Sequence, residues 1–318
     1  IEPRHDSRLL DTRDMSDHRF LDLPSLLQPD DLVVVNETKV RPARLIGKRA
    51  DTGGAVELLI LEARGDGSWE ALARPARRLR PGAVIEFAGL QATIFEGPEQ
   101  GRVVIRLQAQ DVEAAIAAVG EIPLPPYFKG RLKDDGRYQT MFARALGSAA
   151  APTAGLHFTP EVVTGLDAAG IGIASIDLHV GVDTFRPIMT EVVESHRMHS
   201  EWCSVPVVTA EAIALTRARG GRVVAVGTTV VRTLESRSRS DGTVEAGSMD
   251  TDLFLTPGVE FGVVDAIVTN FHVPGSTLVV LVAAFMGERW REAYQTALRR
   301  GYRFLSFGDA MYAERARR

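Results

Sequence analysis

Several stretches of the chain set reactive side chains beside turn-forming residues. Ala151-Pro-Thr-Ala-Gly-Leu-His-Phe158 delivers Thr153 and His157 just ahead of a helix start. Asp177-Leu-His-Val-Gly181 ends a strand with His179 and Gly181, at the kind of edge where open α/β sheets bind ligands. His196-Arg-Met-His199, with Glu201 close behind, offers two imidazoles and a carboxylate, which are zinc-type donors. That spacing is looser than His-Glu-x-x-His and no ligand outside it is identifiable, so no metal is assigned. In Val224-Ala-Val-Gly-Thr-Thr-Val-Val-Arg-Thr-Leu-Glu235 a strand breaks at Gly227, and Thr228 and Thr229 open a helix bearing Arg232 and Glu235. Glycine admits a ligand close to the backbone, and free amides at a helix start suit an anion. The segment is neither Gly-x-Gly-x-x-Gly nor a Gly-Lys-Ser/Thr loop, so dinucleotide and P-loop readings fail. Two more strand ends repeat the design. One carries Asn270 and His272 before Ser276 and Thr277 begin a helix, and the other carries Asp309. Each feature alone also fits a satisfied structural histidine or an ordinary capped helix. If the strands are parallel, the ends at His179, Gly227, Asn270 and Asp309 converge on one pocket.

The elements that must position these groups follow from the patterning. Asp31 to Asn36 is a short apolar run closed by turn chemistry, as a buried strand should be. Strands are expected at Ala55 to Leu61, Ser68 to Ala73, Ala83 to Phe87, Gln91 to Phe95 and Arg102 to Leu107, with Gly, Pro and Asp at the junctions. Such regular recurrence predicts a small barrel or sandwich. A helix over Val112 to Val119 closes it, and Pro123-Leu-Pro-Pro126 stops regular structure. After about residue 150 helices and strands alternate. Thr159 caps a helix starting at Pro160, Ile171 to Val180 is a strand, and Thr209 caps a helix ending at Gly220-Gly221. Strands at Arg222 to Val226 and Val263 to Thr269 follow, then a helical region from Ser276 to about Arg300 broken near Gly287, and a last strand at Tyr302 to Phe307. This grammar is α/β: a mixed-sheet main domain with an inserted small all-β barrel domain. The expected boundaries are 1–51 for the first part of the main domain, 52–121 for the barrel and 122–318 for the second part.

Composition narrows the classes. With 318 residues, two cores or one core with an insertion are expected. The 45% hydrophobic and 25% charged content excludes a disordered chain. Cys203 is the single cysteine, which excludes an internal disulfide and any cysteine-cluster metal site, and it is expected to be a buried, inert thiol. The longest apolar stretch, Leu278 to Met286, falls far short of the ~20 residues of a membrane span. The chain starts at Ile1 without methionine, and what is present reads as cytoplasmic, with no membrane association and a monomeric state expected. A net charge of -4 argues against a surface built to coat nucleic acid, yet basic residues cluster locally. The clusters are Arg41, Arg44, Lys48 and Arg49; Arg74, Arg77, Arg78 and Arg80; and Lys129, Arg131 and Lys133. Taken alone they read as solvated surface.

Taken together, the segments resemble the S-adenosylmethionine:tRNA ribosyltransferase-isomerase family of queuosine biosynthesis. The similar stretches are Val35 to Leu45, Ile122 to Tyr127, Arg137 to Thr140, Ala151 to Phe158, Leu178 to Gly181, His196 to Glu201, Ala225 to Glu235, Thr269 to Leu278 and Tyr302 to Met311. The resemblance implies an α/β domain with an inserted β-barrel. It also implies transfer of the ribosyl part of S-adenosylmethionine to 7-aminomethyl-7-deazaguanine at the tRNA wobble position. Rearrangement there gives epoxyqueuosine, with adenine and methionine released. S-adenosylmethionine is then a substrate, and neither cofactor nor metal is required. The sulfonium acidifies the adjacent C5′ proton, so a base is needed, and an acid should assist adenine departure. His157, His179, His196, His199 and His272 form the candidate catalytic pool, without individual assignment. Glu235, Glu201 or Asp309 would balance the sulfonium. Arg232, Thr228, Thr229 and Asn270 would hold the methionine carboxylate or ribose hydroxyls, with Thr153, Gly227, Ser276 and Thr277 completing the substrate site. Arg41, Arg44, Lys48, Arg74, Arg77 and Arg78 would contact tRNA.

The chain departs from the family pattern at three places. Asp183 stands where glycine is usual before Thr184-Phe185, Gly275 where lysine is common before Ser276, and Arg41 replaces an aliphatic residue. These departures leave a second expectation open: a divergent member using S-adenosylmethionine on another nucleobase or amine, or a non-catalytic RNA-binding homologue. An α/β metal hydrolase built on His196 and His199 is a third.

Overall fold

The computed structural model describes residues 2–125, 127–128, 134–181, 188 and 192–316. Lys129, Arg131, Lys133 and the Asp183-Thr184-Phe185 segment lie outside the described residues. The chain forms two compact units, one of residues 1–39, 132–146 and 151–318, the other of residues 40–131 and 147–150. Early strands are β1 (Arg8–Asp11), β2 (Ser16–Arg19), β3 (Leu32–Asn36), β4 (Thr38–Val40), β5 (Arg44–Arg49) and β6 (Ala55–Ala63). Then come β7 (Trp69–Arg74), β8 (Val84–Phe87), β9 (Leu90–Glu99), β10 (Arg102–Gln108), β11 (Ala145–Ser148) and β12 (Gly172–Leu178). Last are β13 (Glu201–Val205), β14 (Val223–Val226), β15 (Gly247–Thr251), β16 (Ala266–Asn270) and β17 (Ala310–Glu314). The helices are α1 (Leu23–Leu26), α2 (Val112–Val119), α3 (Pro160–Ala168), α4 (Val207–Ala218), α5 (Thr228–Ser236), α6 (Thr277–Met286) and α7 (Arg289–Arg299).

The larger unit is built on a nine-stranded sheet in the order β15-β13-β12-β3-β14-β16-β17-β1-β2. Its centre, β12-β3-β14-β16, is all parallel. Both faces of such strands are covered, so they need unbroken apolar runs, and every residue of β3, β14 and β16 is buried. On one face Val33, Val35, Val224, Val226 and Val268 pack with Phe158 and with Val162 and Leu166 of α3. α4 and α5 pack against β12 and β3, and α5 also against β14. The flanking strands are less regular: β13 runs antiparallel to β12, β15 to β13, and β17 to β16, while β1 is parallel to β17.

The smaller unit holds a closed six-stranded barrel, β10-β7-β6-β5-β8-β9, antiparallel at every pairing. Inward residues alternate along each strand, as Val56, Leu58 and Ile60 do on β6. α2, capped by Asp111 accepting from the Ala114 amide at 3.0 Å, adds Ile116 to this core. The expected span of 52–121 falls inside this unit, and the barrel takes in β5 as well. β5 reads Arg-Leu-Ile-Gly-Lys-Arg, with only Leu45 and Gly47 buried, so no apolar run announces it.

Three expectations change. Tyr302 to Phe307 is irregular, and the final strand is β17 instead. Tyr302 and Phe304 pack their rings on Phe271, so their aromatic character serves a cluster, not a strand. Thr209 lies inside α4, whose N-cap is Pro206, and its hydroxyl donates to the Ser175 carbonyl at 2.6 Å. Thr159 does sit at the N-cap of α3, but its hydroxyl bonds His5 Nδ1 at 2.7 Å in place of capping the helix. Cys203 is buried in β13, and burial raises its thiol pKa.

Candidate active site

Strand direction gathers the polar segments at one edge of the sheet. β12, β3, β14 and β16 all end there, presenting His179, Glu37, Gly227 and Phe271 as their next residues. β17 is antiparallel, so it begins there: Ala310 pairs with Asn270 and places Asp309 beside the end of β16. β13 also begins there, bringing Glu201, which pairs with Thr251 at the end of β15. His179, Gly227, Asn270 and Asp309 thus lie at the same end of the sheet, Asp309 by the opposite strand direction.

His157 lies at this edge in a saturated environment. It is 5% exposed, with its ring stacked on Phe20 at 4.9 Å between centroids. Nδ1 is 2.7 Å from Ser7 Oγ and Nε2 is 2.9 Å from Asn270 Nδ2. The Asn270 amide also donates to the Asp309 carbonyl at 3.4 Å, while its Oδ1 accepts from the Thr153 hydroxyl at 3.0 Å. A carbonyl only accepts, so the amide orientation follows. Asn270 therefore donates to His157 Nε2, which leaves the ring proton on Nδ1 for Ser7. Burial drives the His157 pKa down to about 4, with the Asp309 charge opposing the shift, so the ring is neutral near pH 7. Asp309 accepts from the Arg8 amide at 3.0 Å and the Arg303 amide at 2.8 Å, and pairs with the Arg303 guanidinium. Burial would raise its pKa, but Arg303 and these amides hold it below the ordinary value.

A second group surrounds Glu201, which is 4% exposed. Its Oε1 accepts from the Gly181 amide at 2.8 Å and lies 3.1 Å from His199 Nε2, while Oε2 pairs with the Arg232 guanidinium. Burial alone would raise its pKa, but the His199 hydrogen bond and the Arg232 charge bring it to about 2. Arg232 also donates from Nε to the Leu253 carbonyl at 3.1 Å and from Nη2 to the Thr251 carbonyl at 3.2 Å. Arg232 is thus a brace joining α5, β13 and the end of β15 with the segment after it. His196 packs edge-on against Phe254 at 5.4 Å. His179 packs against Trp202 at 4.5 Å between centroids with the rings tilted by 39°, and its Nε2 is 3.5 Å from Asp177 Oδ2. His196 and His199 point to different neighbours, and among the described residues no three metal-type side chains converge.

The start of α5 lies between these groups. Gly227 has φ +88° and ψ 159°, a conformation open essentially to glycine alone, and it turns the chain from β14 directly into Thr228 and Thr229. Asn36, which sequence reasoning passed over, ties this region together. Its side chain donates to the Leu178 carbonyl at 3.0 Å and accepts from the Leu178 and Thr38 amides at 3.2 and 3.0 Å. The signal was an asparagine closing an all-apolar strand. Glu235 is drawn away from the edge: its carboxylate accepts from the amides of Gly262, Val263 and Val264 at 2.8, 3.1 and 2.9 Å. Burial raises its pKa, against the pull of those amides.

Ser276 caps α6, its hydroxyl accepting from Val279 at 3.4 Å, with Thr277 as the first helical residue. His272 Nε2 meets Thr269 Oγ1 at 3.0 Å, and burial lowers its pKa to about 4. Gly275 has φ +76° with open space beyond its Cα, so a lysine would fit there sterically but in a strained backbone. In the other unit, Arg41 pairs with Glu113 and lies over Trp69, and Arg44 pairs with Glu57 and Glu121. Lys48, Arg74, Arg77 and Arg78 are exposed. A cavity of about 510 Å³ lies at the far edge of the large sheet, lined by Arg222, Asp265, Glu314 and Arg315 among others. It holds none of the expected site residues.

The chain is similar to known proteins over nearly its whole length. The family described as "Queuosine biosynthesis protein" matches residues 1–313. The S-adenosylmethionine:tRNA ribosyltransferase-isomerase of Moorella thermoacetica is 52% identical over 98% of this chain and 94% of its own length. That of Heliobacterium modesticaldum is 49% identical with the same coverage. The crystal structure of S-adenosylmethionine tRNA ribosyltransferase from Thermotoga maritima superposes with a TM-score of 0.54 at 36% identity, covering 98% of this chain and 94% of that one. With the family pattern running through both the barrel and the histidine-bearing sheet edge, this chain belongs to the queuosine biosynthesis protein family.

Proposed function

We propose that this protein transfers and isomerises the ribosyl moiety of S-adenosylmethionine onto 7-aminomethyl-7-deazaguanine at the tRNA wobble position, yielding epoxyqueuosine, adenine and methionine. The observation that carries this reading is 52% identity, across 98% of the chain, to a relative bearing that enzyme's name. The sheet edge is chemically suited to it. Opening the reaction needs a base for the C5′ proton and an acid for departing adenine, and imidazoles titrate in the working range. We assign proton transfer to the partly exposed His179, His196 and His199. His157 and His272, neutral and hydrogen-bonded, hold Asn270 and Thr269 in place. Thr153, Thr228, Thr229, Ser276 and Thr277 supply hydroxyls for the ribose and methionine ends. Glu201 and Asp309 contribute fixed negative charge near the sulfonium, already partly compensated by Arg232 and Arg303. S-adenosylmethionine is consumed, so the reaction calls on no further cofactor. The exposed Lys48, Arg74, Arg77 and Arg78 contact tRNA phosphates, and the protein works as a monomer in the cytoplasm.

A single-turnover incubation with S-adenosylmethionine and tRNA carrying 7-aminomethyl-7-deazaguanine tests this reading, with mass analysis of the digested nucleosides. The expected result is epoxyqueuosine with matched adenine and methionine. Release of adenine and methionine with unmodified tRNA would replace the acceptor by another nucleobase or amine. Absence of release from folded protein that binds S-adenosylmethionine would overturn the activity.

A further inference from the structure

One acidic side chain at the ligand edge has no place in the scheme above. Ser175, Asp177 and His179 alternate along the end of β12 and share a face. Ser175 donates to Glu37 Oε2 at 2.7 Å. Asp177 is different: Oδ2 lies 3.5 Å from His179 Nε2, and Oδ1 is buried with no hydrogen-bond partner among the described residues. Its cross-strand neighbour Ser204 is engaged by the Ser248 hydroxyl at 3.0 Å. A carboxylate has room for about four donors, and leaving one oxygen buried without any is unfavourable. The other buried carboxylates near this edge, Glu201 and Asp309, are saturated with amides and arginines.

The surroundings indicate what would satisfy it. The His179 ring packs on Trp202 at 4.5 Å, and this aromatic pair is open, Trp202 being 37% exposed and the His179 side chain 32%. The half-open indole and imidazole, tilted by 39° to each other, offer aromatic surface to a planar ring, and a carboxylate beside them suits a cationic N–H. The geometry points to a subsite formed by Asp177, His179 and Trp202 that binds a purine-type ring carrying a cationic arm. The ring packs against the aromatic pair, and the ammonium pairs with the Asp177 carboxylate through its exposed part, the side chain being 13% exposed. This inference rests on the proposed activity and deepens it, since both substrates have that chemistry. The acceptor base bears an aminomethyl group, and S-adenosylmethionine bears an α-ammonium.

Equilibrium binding to wild type, Asp177→Asn and Trp202→Ala separates the sources, using S-adenosylmethionine alone and an anticodon stem-loop carrying 7-aminomethyl-7-deazaguanine alone. Asp177→Asn keeps the shape and removes the charge. It is expected to weaken one of the two ligands about tenfold or more, the scale of a lost charged hydrogen bond, and the other less than twofold. A stem-loop bearing the neutral 7-cyano base should bind both proteins alike if the acceptor is the ligand. Trp202→Ala changes an exposed side chain, so it should fold normally and weaken the same ligand. If wild type binds both ligands and neither variant weakens either, the subsite is overturned. A wild type that binds neither overturns the reading of function, and the subsite with it.

Discussion

His157 is held on both edges of its ring and against one face, an arrangement that fixes a neutral side chain in place. Its folded pKa of about 4 lies below the ordinary value of 6.5, so between those limits the unfolded chain binds a proton that the folded chain refuses. Stability is therefore complete above about pH 6.5 and is lost as pH falls toward 4. The contribution is up to about 3 kcal/mol for this group. His272 has the same window, while Glu201, lowered to about 2, loses its contribution only as pH falls from about 4.5 to 2. Urea unfolding at pH 7 and pH 4.5 should show a marked drop in wild type and a smaller one in His157→Gln. An equal drop would remove His157 as its source. At neutral pH, His157→Ala should lower turnover at least ~100-fold by releasing Asn270, the scale of misplacing a positioning group. Near-normal turnover would remove it from the site. Residue types and turn chemistry pointed to this histidine in the sequence, but its saturated bonding depends on Ser7 and Asn270, 150 and 113 positions away. Residue spacing along the chain does not encode such partners.

α5 shows how one element ties the polar residues at this end of the sheet together. It starts directly from Gly227 at φ +88° and is fastened by Arg232 to Glu201 and to two carbonyls at and beyond the end of β15. Gly227→Ala should destabilise by about 1–3 kcal/mol, because alanine cannot share that backbone conformation without strain. Arg232→Ala should cost more, about 3–5 kcal/mol, since it leaves the Glu201 carboxylate buried without its main counter-charge. Urea midpoints rank the two, and an Arg232→Ala protein as stable as wild type would show that Glu201 is balanced by other groups. Elements with continuous apolar runs, such as β3, β14 and β16, were legible because burial on both faces demands such runs. β2, β13 and β15 read Ser-Asp-His-Arg, Glu-Trp-Cys-Ser-Val and Gly-Ser-Met-Asp-Thr, and owe their strand state to neighbouring ladders. The same is true of β17, displaced by a few residues from its expected place because Tyr302 and Phe304 fill an aromatic cluster.

At the scale of the molecule, the division into two units separates two kinds of chemistry. The sequence carries seven histidines, and none lies within 40–131 or 147–150. The barrel unit instead presents exposed Lys48, Arg74, Arg77 and Arg78 on a protein of net charge -4. With an overall negative charge, long-range attraction to RNA is weak, and contact must come from a local patch acting within a Debye length of ~8 Å. Not every basic residue of the unit is equivalent. Arg44 is committed to Glu57 at 2.7 Å and Glu121 at 2.9 Å, whereas Arg77 and Arg78 are exposed side chains with no ion pair to a described residue. Each arginine that neutralises a phosphate contributes roughly 0.7–0.9 to the slope of log affinity against log salt. The double variant Arg77→Ala/Arg78→Ala should therefore weaken tRNA binding and flatten that slope by roughly 1.5, with S-adenosylmethionine affinity unchanged. Arg44→Ala should lower stability by at most about 1 kcal/mol, as partly exposed pairs do, and hardly move the slope. Titrations at several salt concentrations read both quantities. An unchanged slope in the double variant would move the tRNA surface off this patch. A slope lost in Arg44→Ala would mean that its two carboxylates give it up to RNA.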